Sequence, residues 1–255
     1  MVETVYPPVI LLAKTVFRGL GIRFDITGAE NVPRSGGAVM AINHVGYLDF
    51  TFAGLAAQPA GRLVRFMAKK EVFDHKVSGP LMRGMKHIPV DRGAGAESYQ
   101  TAVKALSAGE IVGVFPEATI SQSFELKEFK TGAARMAMEA GVPLLPLVVW
   151  GSQRILTKGR KRDLTRGVPL RIVVGEPFTP GQADDPVAVT AELKARMQVL
   201  LEEARGTYAG APRNADDTWW LPASMGGTAP TLADAEEADR EVRAARAARR
   251  AAREG

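Results

Sequence analysis

His44 and Asp49 place an imidazole and a carboxylate close together, directly after the apolar run Ala38–Ile42. That run predicts a short buried strand, and the active sites of open α/β sheets lie at the carboxyl ends of strands. A carboxylate there can accept a hydrogen bond from one imidazole nitrogen, which leaves the other nitrogen free to take a proton from an alcohol. Such a pair also arises by chance, so the pair alone leaves open a capping Asp beside a polar loop His.

Three further segments follow this pair along the chain. They are residues 88–92 (Ile-Pro-Val-Asp-Arg), 115–121 (Phe-Pro-Glu-Ala-Thr-Ile-Ser) and 142–147 (Val-Pro-Leu-Leu-Pro-Leu). Together with the segment around His44, in this order and at these intervals, they resemble the four sequence blocks of the glycerolipid acyltransferases, the PlsC-type 1-acylglycerol-3-phosphate acyltransferase family. The resemblance covers roughly residues 22–180.

The resemblance implies transfer of a fatty acyl group from a thioester of coenzyme A or acyl carrier protein to a hydroxyl of a lysophospholipid. It implies 1-acylglycerol-3-phosphate as the acceptor and phosphatidic acid as the product. His44 would be the general base and Asp49 its orienting partner, with the thioester as co-substrate and no separate cofactor. The acceptor would be bound by residues of the second and third blocks and by a lysine after them: Arg92, Glu117, Ala118, Thr119 and Lys130.

The third block departs from the family pattern, which usually reads Phe-Pro-Glu-Gly-Thr-Arg-Ser. Ala118 stands in place of the Gly, which tolerates left-handed backbone, and Ile120 in place of the Arg, which offers a bidentate fork to phosphate. Either other cations hold the phosphate, with Arg92, Lys127 and Lys130 as candidates, or the acceptor has a larger head group.

The alternative function is that of an altered, lipid-binding relative that has no activity. Candidate donors to the reaction's oxyanion are backbone N–H groups near Gly46 or at Ala118 and Thr119.

Composition narrows the remaining classes. The chain of 255 residues is 46% apolar and carries no cysteine, so an acyl-cysteine intermediate and thiolate metal sites are excluded. Its three histidines show no metal-ligand spacing, and no catalytic metal is expected. No Gly-x-Ser-x-Gly elbow, Gly-rich phosphate loop or dinucleotide-binding turn is present, which argues against serine hydrolases and nucleotide-dependent enzymes.

The formal charge of +5 suits anionic lipid head groups. No nucleic-acid module signature is present, so no nucleic-acid partner is expected. No apolar run reaches 18 residues and no secretory signal is recognised, so we expect a peripheral or monotopic protein on the cytoplasmic face of the membrane. Residues 9–22 predict an amphipathic helix, which either lies in the lipid interface or packs on the domain.

Alternating strands and helices predict the fold that positions these residues: an α/β architecture with a central, mostly parallel or mixed sheet flanked by helices, as in glycerolipid acyltransferases. Strands are expected at 38–42, 64–68, 88–90, 111–115, 145–150 and 170–174. Helices are expected at 9–22, 49–58, 76–85, 98–107, 132–140 and 187–205. The predicted organisation is an interfacial segment (1–22), an acyltransferase domain (23–208), and a linker with an Ala/Arg/Glu-rich tail (209–255). Trp219 and Trp220 either pack back on the domain, which we favour, or insert at a lipid interface. The tail is expected to form a fraying, solvated helix.

Overall fold

The computed structural model describes residues 3–91 and 95–254, and within these ranges the chain forms one sheet of seven strands. Their spatial order is β1-β7-β6-β2-β5-β3-β4. The strands are β1 (Arg23–Thr27), β2 (Ala38–Ile42), β3 (Val64–Lys69), β4 (Ile88–Val90), β5 (Ile111–Val114), β6 (Leu144–Trp150) and β7 (Pro169–Val174). Strands β6 and β7 pair antiparallel, and the other neighbours pair parallel. The predicted mostly parallel sheet is therefore confirmed.

The central strands are buried along their whole length. Every residue of β2, β5, β6 and β7 is buried, as expected for strands covered by helices on both faces. Strand β1 was not predicted from the sequence. It lies at the sheet edge, alternates polar and apolar residues and is largely exposed, so it lacks the continuous apolar run that revealed its neighbours.

Helices cover both faces of the sheet. They are α1 (Tyr6–Gly19), α2 (Asp49–Ala56), α3 (Lys70–Asp74), α4 (Ser78–Gly84), α5 (Gly95–Ser107), α6 (Gly132–Ala140), α7 (Pro186–Gly206) and α8 (Leu232–Glu254). One core contains residues of α5, α6 and α7, such as Leu106, Met136 and Leu193. The other contains Phe52 of α2 and Phe17 of α1. In the part of the chain that is described, no helix is long and apolar enough to cross a membrane.

The chain after α7 folds back on the domain. Trp220 is buried, with the Arg154 guanidinium 4.2 Å from its ring centroid and Tyr208 at 5.7 Å, so the predicted packing of the Trp pair is confirmed. The prediction of a wholly solvated tail is wrong. Among the side chains described in α8, Ala235 and Asp239 are buried, because Asp239 finds lysine partners on the domain.

Candidate active site

The carboxyl ends of three adjacent strands bring the site together. Strand β2 lies between β5 and β6 and runs parallel to both. The segments that follow β2, β5 and β6 therefore leave the sheet at the same edge, where open α/β sheets bind their ligands. They carry His44, Glu117 and Ser152 respectively.

The sequence-predicted His–Asp pair is formed. His44 Nδ1 lies 3.0 Å from Asp49 Oδ2. The same carboxylate oxygen accepts the N–H groups of Val45 and Gly46, each at 2.8 Å, and Oδ1 accepts the Ser152 hydroxyl. Because the buried carboxylate is an acceptor, Nδ1 carries the hydrogen and Nε2 is the basic nitrogen. This is the arrangement that general base catalysis requires.

The loop that carries His44 is held from both ends. The Asn43 side-chain amide is buried and exchanges hydrogen bonds with the backbone of Val149 on β6, at 3.0 and 2.7 Å. Thr157 Oγ1 donates to the Val45 carbonyl at 2.7 Å. A Cβ at Gly46 would lie 3.0 Å from Ser152 Oγ, so a larger residue here would push the two segments apart by a few tenths of an ångström. The base is therefore mounted rigidly on the sheet.

The His44 ring has one further neighbour that fixes its orientation. It stacks on Phe115, with centroids 4.1 Å apart and planes inclined by 25°. The His44 side chain is 19% exposed, whereas that of Asp49 is fully buried. The imidazole thus reaches solvent at one edge while its partner is shielded, which suits a base that meets a substrate hydroxyl.

The Glu117 carboxylate holds the backbone on both sides of the site. Its Oε1 accepts the His44 N–H at 2.8 Å, and its Oε2 accepts the Lys127 N–H at 3.1 Å. Burial raises its pKa to about 7, against the lowering effect of these two backbone hydrogen bonds. Ser121 N–H donates to the His44 carbonyl at 2.7 Å. The backbone N–H and the backbone carbonyl of His44 are therefore both hydrogen-bonded to residues of the third block, Glu117 and Ser121.

The departures of the third block from the family pattern have visible consequences. Ala118 adopts φ 61°, a left-handed conformation that a Cβ disfavours, so this position demands what the family's Gly provides. Ile120 is 5% exposed. Its side chain is packed inside the domain, so it does not present an open apolar surface to a larger head group.

The structure does not bring the remaining predicted acceptor residues together in one place. Arg92 lies outside the described residues. Lys130 is exposed, and its N–H donates to the Pro116 carbonyl at 2.9 Å. Thr119 Oγ1 accepts from Lys127 Nζ at 2.6 Å and donates to Asp239 Oδ2 at 3.3 Å. The sequence thus identified two side chains, Thr119 and Lys127, that lie within a cationic cluster.

Two of the oxyanion candidates are already occupied. The Gly46 N–H donates to Asp49, and the Ala118 N–H donates to the Phe115 carbonyl at 3.0 Å. The residues that sequence reasoning missed are Ser152, Thr157, Lys158 and Asp239. The position of Ser152 directly after a buried strand was a usable signal, whereas no local pattern marked Asp239.

Comparison with known proteins places this geometry among acyltransferases. A family model described as Acyltransferase matches residues 23–150. The 1-acyl-sn-glycerol-3-phosphate acyltransferase of Bacillus subtilis is 33% identical over 150 residues, 58% of this chain and 70% of that protein. The chloroplastic enzyme of the same name from Brassica napus, BAT2, is 30% identical over 165 residues, 63% of this chain and 46% of that protein.

A solved structure supports the fold. The crystal structure of the 1-acyl-sn-glycerophosphate acyltransferase PlsC from Thermotoga maritima superposes with a TM-score of 0.66 at 21% identity, covering 80% of each chain. The mixed sheet and its flanking helices are therefore the architecture of that protein.

Proposed function

The chain belongs to the acyltransferase family and is an enzyme of this class, and we propose that it moves a fatty acyl group from an acyl thioester to a hydroxyl of a lysophospholipid. The proposed acceptor is 1-acylglycerol-3-phosphate, and the product is phosphatidic acid. The observation that carries this proposal is the His44–Asp49 pair, held at a strand end against the third block. The names of the B. subtilis and B. napus relatives support the choice of acceptor.

The His44–Asp49 pair supports a direct transfer without a covalent intermediate. His44 Nε2 takes the proton from the acceptor hydroxyl as its oxygen attacks the thioester carbonyl. The tetrahedral intermediate then collapses, the carbon–sulfur bond breaks, and the imidazolium returns the proton to the leaving thiolate. Asp49 stabilises the imidazolium. General base help of this kind is worth about 10²–10⁴-fold, and alignment of the two substrates supplies up to roughly 7–11 kcal/mol of the barrier.

Acyl transfer is measured by thiol release from long-chain acyl-CoA. The panel comprises 1-acylglycerol-3-phosphate, a lysophosphodiester and a reaction without acceptor, and acyl carrier protein replaces coenzyme A in a second series. The proposal expects acceptor-dependent thiol release with 1-acylglycerol-3-phosphate. Release that does not depend on any acceptor would indicate a thioesterase and overturn it. Binding of lysophospholipid without release from either donor would favour the inactive lipid-binding alternative.

We also propose that the protein docks on anionic membranes through α1. Leu11 and Leu12 are 67% and 65% exposed, beside the exposed cations Lys14 and Arg18. The opposite side of α1 packs on the domain through Tyr6 and Phe17. An exposed apolar stripe next to a cationic stripe is the pattern of an interfacial helix, and anionic lipid adds electrostatic attraction.

Vesicle co-sedimentation tests this docking. Wild type should bind vesicles with anionic lipid more tightly than neutral ones, and salt should weaken the difference. The double variant Leu11→Ser/Leu12→Ser should lose most binding. The control Leu164→Ser removes a leucine that is 54% exposed in another part of the chain and should bind as wild type does. Equal loss in both variants would contradict docking through α1.

A further inference from the structure

A cationic cluster lies beside the catalytic loop, and a carboxylate from the last helix fills it. Lys127 Nζ bonds to Asp239 Oδ2 and to Thr119 Oγ1, and Lys158 Nζ lies 2.7 Å from Asp239 Oδ1. The side chains of Lys127 and Asp239 are 8% and 9% exposed, and that of Lys158 is 32% exposed. Two lysines, one hydroxyl and one aspartate thus form a nearly enclosed site of net charge +1.

The cluster is tied to the catalytic base through the third block. Glu117 accepts the backbone N–H groups of both His44 and Lys127. Thr119 follows two residues later in the chain, between Glu117 and Ser121, which donates to the His44 carbonyl. The lysine cluster and the base therefore share one loop, and a ligand held by Lys127 and Thr119 lies on the same support as His44.

The cluster matches a phosphate monoester better than it matches the aspartate that fills it. A phosphate monoester carries a charge of about −1.5 to −2 at neutral pH and three terminal oxygens. Lys127, Lys158 and Thr119 provide two positive charges and three donors. Asp239 supplies one negative charge and two oxygens, each bonded to a different lysine. Lys127 and Lys158 also provide positive charge in place of the family's Arg, because Ile120 at that position offers phosphate no donor.

Apart from the Asp239 ion pairs, α8 buries few of its described side chains. Among its described side chains, Ala235 is the other buried one, and Val242 is 41% exposed. Burying an ion pair costs desolvation energy that an apolar residue would not, so such pairs are weak devices for stability. Burial works to raise the pKa of Asp239, but Lys127 and Lys158 outweigh it and hold the pKa at about 2. Ordinary acidity therefore leaves this carboxylate charged and paired with the lysines.

There is open space next to the cluster. A pocket of about 260 Å³ is lined by Lys158, Arg160 and Trp219, among others. Lys158 borders this pocket while bonding to Asp239. A ligand can therefore approach Lys158 without unfolding the domain.

We propose that Lys127, Lys158 and Thr119 bind the terminal phosphate of the acceptor, and that Asp239 occupies this site in its absence, so that α8 is an autoinhibitory cover. This inference rests on the proposed function for the identity of the acceptor. Phosphate and Asp239 compete for the same donors. Because a ligand that binds only the open state has its apparent affinity reduced by the open fraction, α8 raises the acceptor concentration needed for half-maximal rate.

Matched variants test the competition kinetically. Asp239→Asn should lower the KM for 1-acylglycerol-3-phosphate about three- to tenfold, and Glu237→Gln, which removes the same charge from an exposed position of α8, should leave it unchanged. Lys158→Ala should raise this KM about ten- to a hundredfold, as for loss of a charge-assisted hydrogen bond. The control is Lys161→Ala, which removes an exposed lysine nearby in the chain and should leave this KM unchanged.

Hydrogen exchange provides a readout that a merely structural ion pair would not move. Inorganic phosphate should speed exchange of the α8 amides in wild type, and sodium chloride of equal ionic strength should do so far less. In Asp239→Asn, α8 should already exchange fast and the protein should bind phosphate more tightly. If phosphate does not speed α8 exchange, or chloride matches it, Asp239 is a structural ion pair and the proposal fails.

The two assays separate this inference from the function on which it rests. Phosphate-dependent release of α8 without acyl transfer to 1-acylglycerol-3-phosphate would retain the phosphate site and overturn the proposed function. Acyl transfer with a KM indifferent to both Asp239→Asn and Lys158→Ala would retain the function and overturn the phosphate site.

Discussion

The two halves of the site are built in opposite ways. The half around His44 is made from segments next to β2 and β6, and Asp49 is satisfied by donors from its own loop and by Ser152. The half around Thr119 carries a strained Ala118 and a buried Ile120, and its two lysines pair with a single carboxylate from the last helix.

Under the proposed function, this difference separates chemistry from recognition. The catalytic half keeps the His44–Asp49 pair, which is a contact between residues five positions apart at the carboxyl end of β2. The acceptor half departs from the pattern at Ala118 and Ile120 and recruits Lys158 and Asp239 from elsewhere. Substitutions in the first half should therefore affect rate, whereas those in the second should affect acceptor affinity, pH dependence or stability.

After removal of His44 itself, the largest effect is expected for Asp49→Asn. The amide oxygen can replace Oδ2 and keep the N–H donors, and the amide nitrogen can donate to the Ser152 hydroxyl, so the fold should survive. The charge that stabilises the imidazolium is lost, and kcat should fall about a hundredfold. Thiol release measures the rate, and circular dichroism checks the fold. A folded variant within threefold of the wild-type rate would show that Asp49 does not assist the base.

A pH-dependent effect on stability is expected from Glu117. Its pKa is about 7 in the folded protein against an ordinary 4.5, so the folded state keeps the proton after the unfolded state has lost it. Stability should therefore decline as pH rises from 4.5 to 7, by roughly 3 kcal/mol. Urea unfolding of wild type and Glu117→Gln across this range isolates the contribution of Glu117. The advantage of wild type over the variant should shrink as pH rises, and a pH-independent difference would contradict the shifted pKa.

Removal of one hydroxyl should weaken the catalytic half more modestly. Ser152→Ala deletes the donor to Asp49 Oδ1 and should cost about 1.5–3 kcal/mol of unfolding free energy, as for a hydrogen bond to a charged group. Ser224→Ala is the control, because Ser224 is exposed where it donates to Glu125, and it should stay within about 0.5 kcal/mol of wild type. Equal costs in chemical denaturation would remove Ser152 from the support of the pair.

The smallest effect is expected in the acceptor half. Ala118→Gly relieves a left-handed backbone at φ 61° and should stabilise the protein by about 0.5–1 kcal/mol. Ala191→Gly, at an exposed position within α7, should destabilise it by a similar amount. Thermal unfolding of both variants gives the comparison, and a loss of stability in both would mean that Ala118 is not strained.

The sequence predicts the catalytic half well because the signals there are local. An unbroken apolar run marks β2, and the His–Asp spacing follows directly. Asp185 caps α7, accepting the Val187 N–H at 3.0 Å, as the Asp-Pro pair at its start predicts. Short, polar or edge elements were not predicted, because they lack a long apolar pattern. Strand β1 is largely exposed, and α3 has only five residues.

The acceptor half is harder to predict because it depends on distant pairings. Even in the catalytic half, Ser152 meets Asp49 only because β6 lies beside β2 in the sheet. Asp239 meets Lys127 across 112 positions of the chain, and a helix rich in Ala, Arg and Glu gives no sign of which acid is buried. Arg92, which the sequence places among the phosphate ligands, lies outside the described residues.

The most direct test of the account is the rate of phosphatidic acid formation from long-chain acyl-CoA and 1-acylglycerol-3-phosphate, compared between wild type and His44→Ala. The side chain of His44 is partly exposed, so its removal should leave the fold intact. Wild type should form product, and the variant should do so at a rate at least about a hundredfold lower. A folded His44→Ala protein that keeps more than about a tenth of the wild-type rate would contradict His44 as the base.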